Sequence, residues 1–403
     1  MEKQNTSIIF TGDIGFDKYM NKKWEDESLL SPSVLAYFHS ADHVCANVEG
    51  ALYEVVDDGT LDVCFHAMSP KAIKVLKDMD ADIWNIGNNH IMEAGIEGLI
   101  STKNHAKENG CKTVGAGIDR SEASTPVYLD EAGGIGILSV TYMSGCVPAT
   151  DTEPGIFRWD EMDHIANRIQ EIKSKCRWCV VVSHGGEEFS PLPLPYTRDR
   201  YMKFLELGAD VVVGHHPHVP ENYELFDNGK AIFYSLGNFI FDTDYQRAHL
   251  YTDNGILLKL QFTEEQMTFD ALGIHIERGS ERLDSVELPE IFTNISAEEY
   301  ELLAPLSAQA LIAEDMRVMR YLEPKKFVDC PDSVWDDYYD NTVSSFCSKN
   351  AHMDYDVMLP FSRKAEAEQW KQSKLENIKA YILSQFELPY PITYRYTRKR
   401  GEN

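Results

Sequence analysis

No run of 18 or more apolar residues occurs anywhere in the 403-residue chain, so no transmembrane helix is expected. The opening Met1-Glu2-Lys3-Gln4-Asn5-Thr6-Ser7 leads straight into a β-type run without an apolar signal core, so neither a secretory leader nor an anchor is expected. The expected location is therefore cytoplasmic. A phosphate-binding loop and a G-x-G-x-x-G fingerprint are both missing, which argues against ATP-driven ligation. The absence of a G-x-S-x-G elbow argues against serine hydrolase chemistry. Positive charge is scarce, with 38 Lys and Arg against 65 Asp and Glu and a formal net charge of −27. Such a field repels polyanions, so neither nucleic acid nor an anionic membrane is an expected partner. A phosphate-bearing substrate would then need local positive charge, which bound metal can supply. The eight cysteines are scattered, several within apolar runs, as reduced core thiols would be. Cys176-Arg177-Trp178-Cys179 has no second pair to complete a zinc site.

What is present is a repeated alternation of strand and helix. Short β-branched runs at 7–11, 43–46, 82–86, 112–117, 134–140 and 180–183 alternate with helical patterns at 31–40, 71–79, 96–109, 160–175 and 199–207. Strands at 230–234, 255–262 and 268–277 follow. The pattern predicts an α/β fold with a largely parallel sheet, helices outside, and a second sheet packed on the first. From about Glu281 the texture becomes helix-forming, beginning with the capping box Ser296-Ala297-Glu298-Glu299. Two units are expected, 1–285 and a mostly helical extension, 286–403, packed on the core. The basic residues Arg395, Arg398, Lys399 and Arg400 read as a solvated end.

The ends of the predicted strands carry the chemistry. Asp13 follows the first strand, Glu49 the second, Asn89-His90 the third, His184 a later one, and His216 and His218 follow Val211-Val212-Val213-Gly214. In an open α/β sheet the ligand site lies beyond the carboxyl ends of the strands, so the sheet collects these side chains. Two carboxylates, an amide oxygen and several imidazoles suit borderline divalent ions such as Mn²⁺, Fe²⁺ or Zn²⁺. They are too many for one tetrahedral site, and enough for two ions sharing a carboxylate.

Gly12-Asp13, Asn47-x-Glu49, Asn88-Asn89-His90, His184-Gly-Gly-x-Glu188-Phe189, Gly214-x-His216-Pro217-His218-Val219 and Tyr234-Ser235-Leu236-Gly237-Asn238-Phe239 together resemble the CapA family. That family is named for bacterial poly-γ-glutamate capsule synthesis, and its domain is similar to calcineurin-like metallophosphoesterases. The resemblance spans roughly residues 6 to 275. It implies two packed β-sheets flanked by helices, with a C-terminal helical appendage. It implies Asp13, Glu49, Asn89, His184, His216 and His218 as metal ligands, with Glu49 bridging two divalent ions. His90 is then the catalytic residue, protonating the leaving oxygen or stabilising the charged transition state. Asn47, Glu188 and Asn238 are expected beside the substrate; Glu188 either orients a ligand, acts as a base or is a solvated loop charge. The activity implied is a phosphoesterase linked to capsule biosynthesis. The alternatives are a non-catalytic part of envelope-polymer assembly and an amide hydrolase using the same metals. The substrate is accordingly a phosphate ester or an acidic polymer. Two departures stand out. Asp13-Ile14-Gly15 lacks the histidine of the common Asp-x-His motif, and Glu93 stands in the segment after Asn-His where relatives carry aspartate. His39, His43, His66, His105, His164, His249, His275 and His352 have no partner apparent in the sequence.

Overall fold

The structure is a computed structural model and describes residues 5–54, 65–142, 146–190 and 192–301, together with Leu303, Ala304 and Ser307. The strands of the two large sheets are β1 (Asn5–Ile14), β2 (His43–Val48), β3 (Ile83–Asn85), β4 (Lys112–Val114), β5 (Val127–Leu129), β6 (Ile135–Tyr142) and β7 (Trp178–Gly185). They continue as β8 (Val211–His215), β9 (Tyr223–Leu225), β10 (Ala231–Phe233), β11 (Asn238–Ile240), β12 (Asn254–Thr263), β13 (Met267–Glu277) and β14 (Arg282–Val286). One sheet runs β14-β13-β12-β1-β2-β3-β4, with β11 also paired to β1; the other runs β9-β10-β8-β7-β6-β5. The centre of each sheet is parallel: β1, β2, β3 and β4 in the first, and β6, β7, β8 and β10 in the second.

Side-chain alternation explains how the sheets pack. Because successive strand residues face opposite sides, Ile8 and Phe10 enter the layer between the sheets while Ile9 faces the helices. Val180, Val182, Val211 and Val213 meet them from the second sheet, and Val181 and Val212 point outward. Helices α1 (Pro32–Phe38), α2 (Ile73–Asp78) and α3 (Gly95–Glu108) cover the outer face of the first sheet; α4 (Met162–Lys175) and α5 (Pro195–Leu207) cover the second. In α4 the stripe Ile165, Ile169 and Ile172 is fully buried, as a 3.6-residue period requires. This is the α/β architecture expected from the sequence, two packed sheets flanked by helices.

The structure departs from the sequence reading locally. Helix α5 begins at Pro195, four residues before the expected start, because proline at the first helical position gives up only an N–H that would be unpaired there anyway. The strands β5, β9 and β14 are short, and too short a run shows no period. The capping box forms, with Ser296 Oγ donating to Glu299 Oε2 at 2.8 Å. Beyond it Tyr300 is buried and donates to the Pro193 carbonyl at 2.7 Å. Of the helical extension expected over 286–403, the part beyond Ser307 lies outside the described residues, as do Cys64, Pro191, His352 and the basic C-terminal residues.

Candidate metal centre

Asp13, Asn47 and Asn85 stand in register on the adjacent parallel strands β1, β2 and β3. They form a buried chain: Asn85 Nδ2 donates to Asn47 Oδ1 at 2.7 Å, and Asn47 Nδ2 donates to Asp13 Oδ1 at 2.7 Å. Asn47, expected beside substrate, is 1% exposed and its side chain serves to hold Asp13. The other carboxylate oxygen, Asp13 Oδ2, makes no hydrogen bond and lies 3.1 Å from His218 Nδ1. Glu49, just past β2, is fully buried with neither carboxylate oxygen hydrogen bonded. Its Oε1 lies 3.6 Å from His90 Nε2 and 3.8 Å from both His184 Nε2 and His218 Nε2. Burial, and then the Asp13 carboxylate, push the Glu49 pKa well above the usual carboxylate range, against the opposing pull of His218.

The second sheet supplies the imidazoles. His184 lies on β7 and is buried; its Nε2 bonds Asn89 Oδ1 at 2.9 Å and its Nδ1 has no hydrogen-bond partner. Burial and the neighbouring imidazoles hold its pKa well below the ordinary value. His216 and His218 follow β8 in a loop with φ of 95° and 59°. Positive φ is costly for side chains of this size, by about 1–3 kcal/mol, and such strain persists where the surroundings impose it. The loop is pinned by Phe189, itself at φ 62°, whose N–H donates to the Pro217 carbonyl at 2.8 Å. His218 Nδ1 bonds Asn238 Oδ1 at 2.9 Å, and Asn238 Nδ2 donates to the Thr252 carbonyl. Asn238, fully buried, thus orients His218. Burial lowers the His218 pKa, but Glu49 and Asp13 outweigh it and bring it to about 10. His215 occupies the same register as His184, and its Nε2 reaches the Thr11 carbonyl at 2.8 Å, tying one sheet to the other.

Three overlapping groups bring ligand atoms within 4.8 Å of one another: Asp13 with Glu49 and His218; Glu49 with His184 and His216; and Glu188 with His216 and His218. Each can hold a metal ion. The orphaned buried oxygens of Glu49 and Asp13 fit such a use, since buried polar groups are otherwise almost always hydrogen bonded. Glu188 is part-exposed at the rim, 3.9 Å from His216.

His90 stands beside this centre. Its Nδ1 bonds Glu93 Oε1 at 2.7 Å, and Asn89 Nδ2 donates to its Nε2 at 2.8 Å. Burial, with His66 alongside, lowers its pKa to about 4. Asn88 sets the turn, its Oδ1 accepting from the N–H groups of Gly50 and His90. The sequence reading gave no site role to Asn85, Asn88, Asp17, Glu93 or His66, although Asn88 and Glu93 stood in or beside the Asn-His motif. The position of Asn85 at the end of a strand was the available signal; nothing in the sequence ties Asp17 to His66.

The family model described as "Bacterial capsule synthesis protein PGA_cap" matches residues 7–243. "PGA biosynthesis protein CapA" of Bacillus subtilis (strain 168) is 34% identical over 249 residues, 60% of this chain and 64% of that protein. The alignment thus spans just under two thirds of that relative. "Capsule biosynthesis protein CapA" of Bacillus anthracis is 28% identical over 293 residues, 69% of each chain. A "Probable polyglutamine synthesis accessory protein" of Mycobacterium tuberculosis (strain CDC 1551 / Oshkosh) is 27% identical over 192 residues, 45% of this chain and 50% of that one. Among solved structures, TT1561 of Thermus thermophilus has 9% identity and a TM-score of 0.37 over 66% of this chain and 98% of its own, too slight a likeness to carry an argument. With more than half of its length matched, and with the family's motif residues gathered at one centre, the chain belongs to the PGA_cap family of bacterial capsule synthesis proteins.

Proposed function

We propose that the chain is a metal-dependent phosphoesterase linked to poly-γ-glutamate or capsule biosynthesis, working through two divalent ions, Mn²⁺, Fe²⁺ or Zn²⁺. The observation that carries this reading is that Glu49, with both oxygens free of hydrogen bonds, belongs to two ligand groups at once, as a bridging carboxylate must. Asp13, Glu49 and His218 would hold one ion; Glu49, His184 and His216 would hold the other, with the Asn89 oxygen beside them and Glu188 at the rim. Ions bound there supply Lewis-acid polarisation of the phosphoryl oxygen and offset its developing charge. The remaining work falls to the chain. Asn47 and Asn85 fix Asp13, Asn238 fixes His218, and Glu93 fixes the ring of His90. His90 carries a proton for the reacting oxygens.

The relatives' names favour a second reading. A γ-linked glutamate polymer contains amide bonds and no phosphate ester, so the same centre would then act on an acyl carbon. The test is elemental analysis of protein purified without chelator, with hydrolysis of bis(4-nitrophenyl) phosphate and chain-length analysis of poly-γ-glutamate. Wild type is compared with Asp13→Asn and His216→Ala. About two equivalents of metal, with phosphodiester turnover lost in both variants, is the expected result. Polymer cleavage without diester turnover would move the assignment to the amide. Less than one equivalent and no turnover would sink both and leave the non-catalytic assembly role.

A further inference from the structure

His66 lies outside the residues assigned above, yet it forms one wall of the same centre. Its ring meets that of His90 edge-on at 4.3 Å between centroids and leans on Phe241 at 5.0 Å. Phe241 in turn stacks on His218 at 4.8 Å. The residue is 8% exposed, so its orientation is imposed by its neighbours. Nδ1 is bonded to the Asp17 carboxylate, and the backbone N–H donates to Glu93 Oε2 at 2.6 Å. Glu93 therefore grips both units, the ring of His90 through one oxygen and the backbone of His66 through the other. Among the described residues no hydrogen bond engages His66 Nε2. The contrast with His90 is informative, because His90 Nε2 is turned inward, accepting from Asn89 and lying 3.6 Å from Glu49.

Hydrolysis moves two protons. As the bond from water oxygen to phosphorus forms and that from phosphorus to the leaving oxygen breaks, water gives up one proton and the leaving oxygen gains one. A carboxylate-held imidazole with an unengaged Nε2 can supply the proton that the leaving oxygen gains. We infer that His66, held by Asp17, protonates the leaving oxygen, while the proton released by water passes to solvent and His90, its Nε2 held by Asn89, faces the developing charge. This rests on the hydrolytic reading above, and it moves the leaving-group role implied for His90 to its neighbour. Asp17 is the positioning residue for His66. Solvent reprotonates His66 after each turnover.

The test compares two esters with the metal-loaded full-length chain: bis(4-nitrophenyl) phosphate, whose leaving group needs little help from an acid, and diphenyl phosphate, whose leaving group needs it. His66→Gln should lose roughly 10²–10⁴-fold in kcat on diphenyl phosphate and less than about 10-fold on the nitrophenyl ester, the usual range for a lost general acid. His90→Gln should lose similar factors on both esters, and Asp17→Asn should show a weaker form of the His66→Gln pattern. Mn²⁺ stoichiometry by calorimetry should be the same in wild type and His66→Gln. Equal losses on both esters in His66→Gln, or none, would overturn the assignment while leaving the phosphoesterase reading intact. Wild type without turnover on either ester would overturn both. A second readout needs no metal. Diethyl pyrocarbonate on the metal-free chain, mapped by mass spectrometry, should modify His66 ahead of His90, because of the two only His66 has an unengaged Nε2; the reverse order would also overturn the proposal.

Discussion

Glu49→Gln should make the metal-free protein more stable and the metal-loaded protein less so. Glu49 is fully buried, has no hydrogen bond to either oxygen, and sits close enough to Asp13 for the two carboxylates to repel. The free chain must either bury that charge or hold a proton on it, and both disfavour folding. A buried group left without a partner costs about 1–3 kcal/mol, and glutamine keeps the shape while removing the charge. Because the glutamine amide is itself unpaired there, about 1–2 kcal/mol of that cost is recovered, and at roughly 2 °C per kcal/mol for a domain this large the variant should melt about 2–4 °C above wild type in chelator. Adding Mn²⁺ at 100 times its Kd should stabilise wild type by about 2.7 kcal/mol, or roughly 5 °C, because the ion binds only the folded chain. The variant, lacking the carboxylate common to two ligand groups, should gain little. Calorimetric scans in EDTA and in Mn²⁺ should therefore show the order of the two proteins reverse. A variant that melts below wild type in chelator, or that responds to Mn²⁺ as wild type does, would refute the reasoning.

Three further predictions concern the frame around the centre. His43 Nδ1 bonds Asp82 Oδ2 at 2.6 Å with Glu131 3.6 Å from Nε2, and the Asp82 bond raises its pKa despite burial. A raised pKa stabilises fully below the unfolded value and fades as pH rises through the folded one, so His43→Gln should cost about 1 kcal/mol at pH 6 and less at pH 9 in urea titrations, Asp82 being partly solvent-screened. A Cβ on Gly214 would lie 1.9 Å from the Tyr234 carbonyl oxygen, so Gly214→Ala must push β8 away from the chain beyond β10; a loss at or above the usual overpacking range of about 1–3 kcal/mol is expected by thermal denaturation. Arg198 grips both oxygens of buried Glu224 at 2.7 and 2.8 Å, and Arg198→Ala should cost about 3–5 kcal/mol, much of it recovered when Glu224→Gln is added.

The layered fold was legible because period and length agreed. Val180-Val181-Val182 and Val211-Val212-Val213 read as buried strands, and each residue alternates between the inter-sheet layer and the helix side. The strands β5, β9 and β14 were not legible, since three to five residues contain too little pattern to set against a loop. The centre itself was legible as a set of strand ends. The roles within it were not: Asn47 and Asn238 have the composition of substrate-binding amides, and only the folded arrangement reveals that they are spent on holding Asp13 and His218. His66 was hidden for a different reason. Its partner Asp17 is 49 residues away on another loop, and sequence spacing carries no trace of such a pairing.

The missing histidine at position 15 has a steric explanation that bears on the two halves of the centre. A Cβ on Gly15 would lie 2.7 Å from the Phe241 ring, so no imidazole fits there while that ring stays in place. Phe241 lies instead against His218 and His66, two imidazoles that flank the position. An aromatic ring thus occupies space that a second nitrogen ligand on that side would need, and Asp13, Glu49 and His218 are left as the donors there. The side built from Glu49, His184 and His216 keeps two imidazoles, with the Asn89 amide in contact with His184 and the Glu188 carboxylate near His216. An apolar ring in place of a ligand also lowers the local dielectric, which strengthens each remaining charge–charge contact and makes an unpaired carboxylate there more costly. The Asp13 and Glu49 side, which lies against that ring, is therefore the one whose carboxylates would gain most from a cation, and ions bound in the two ligand groups would fill them at different concentrations.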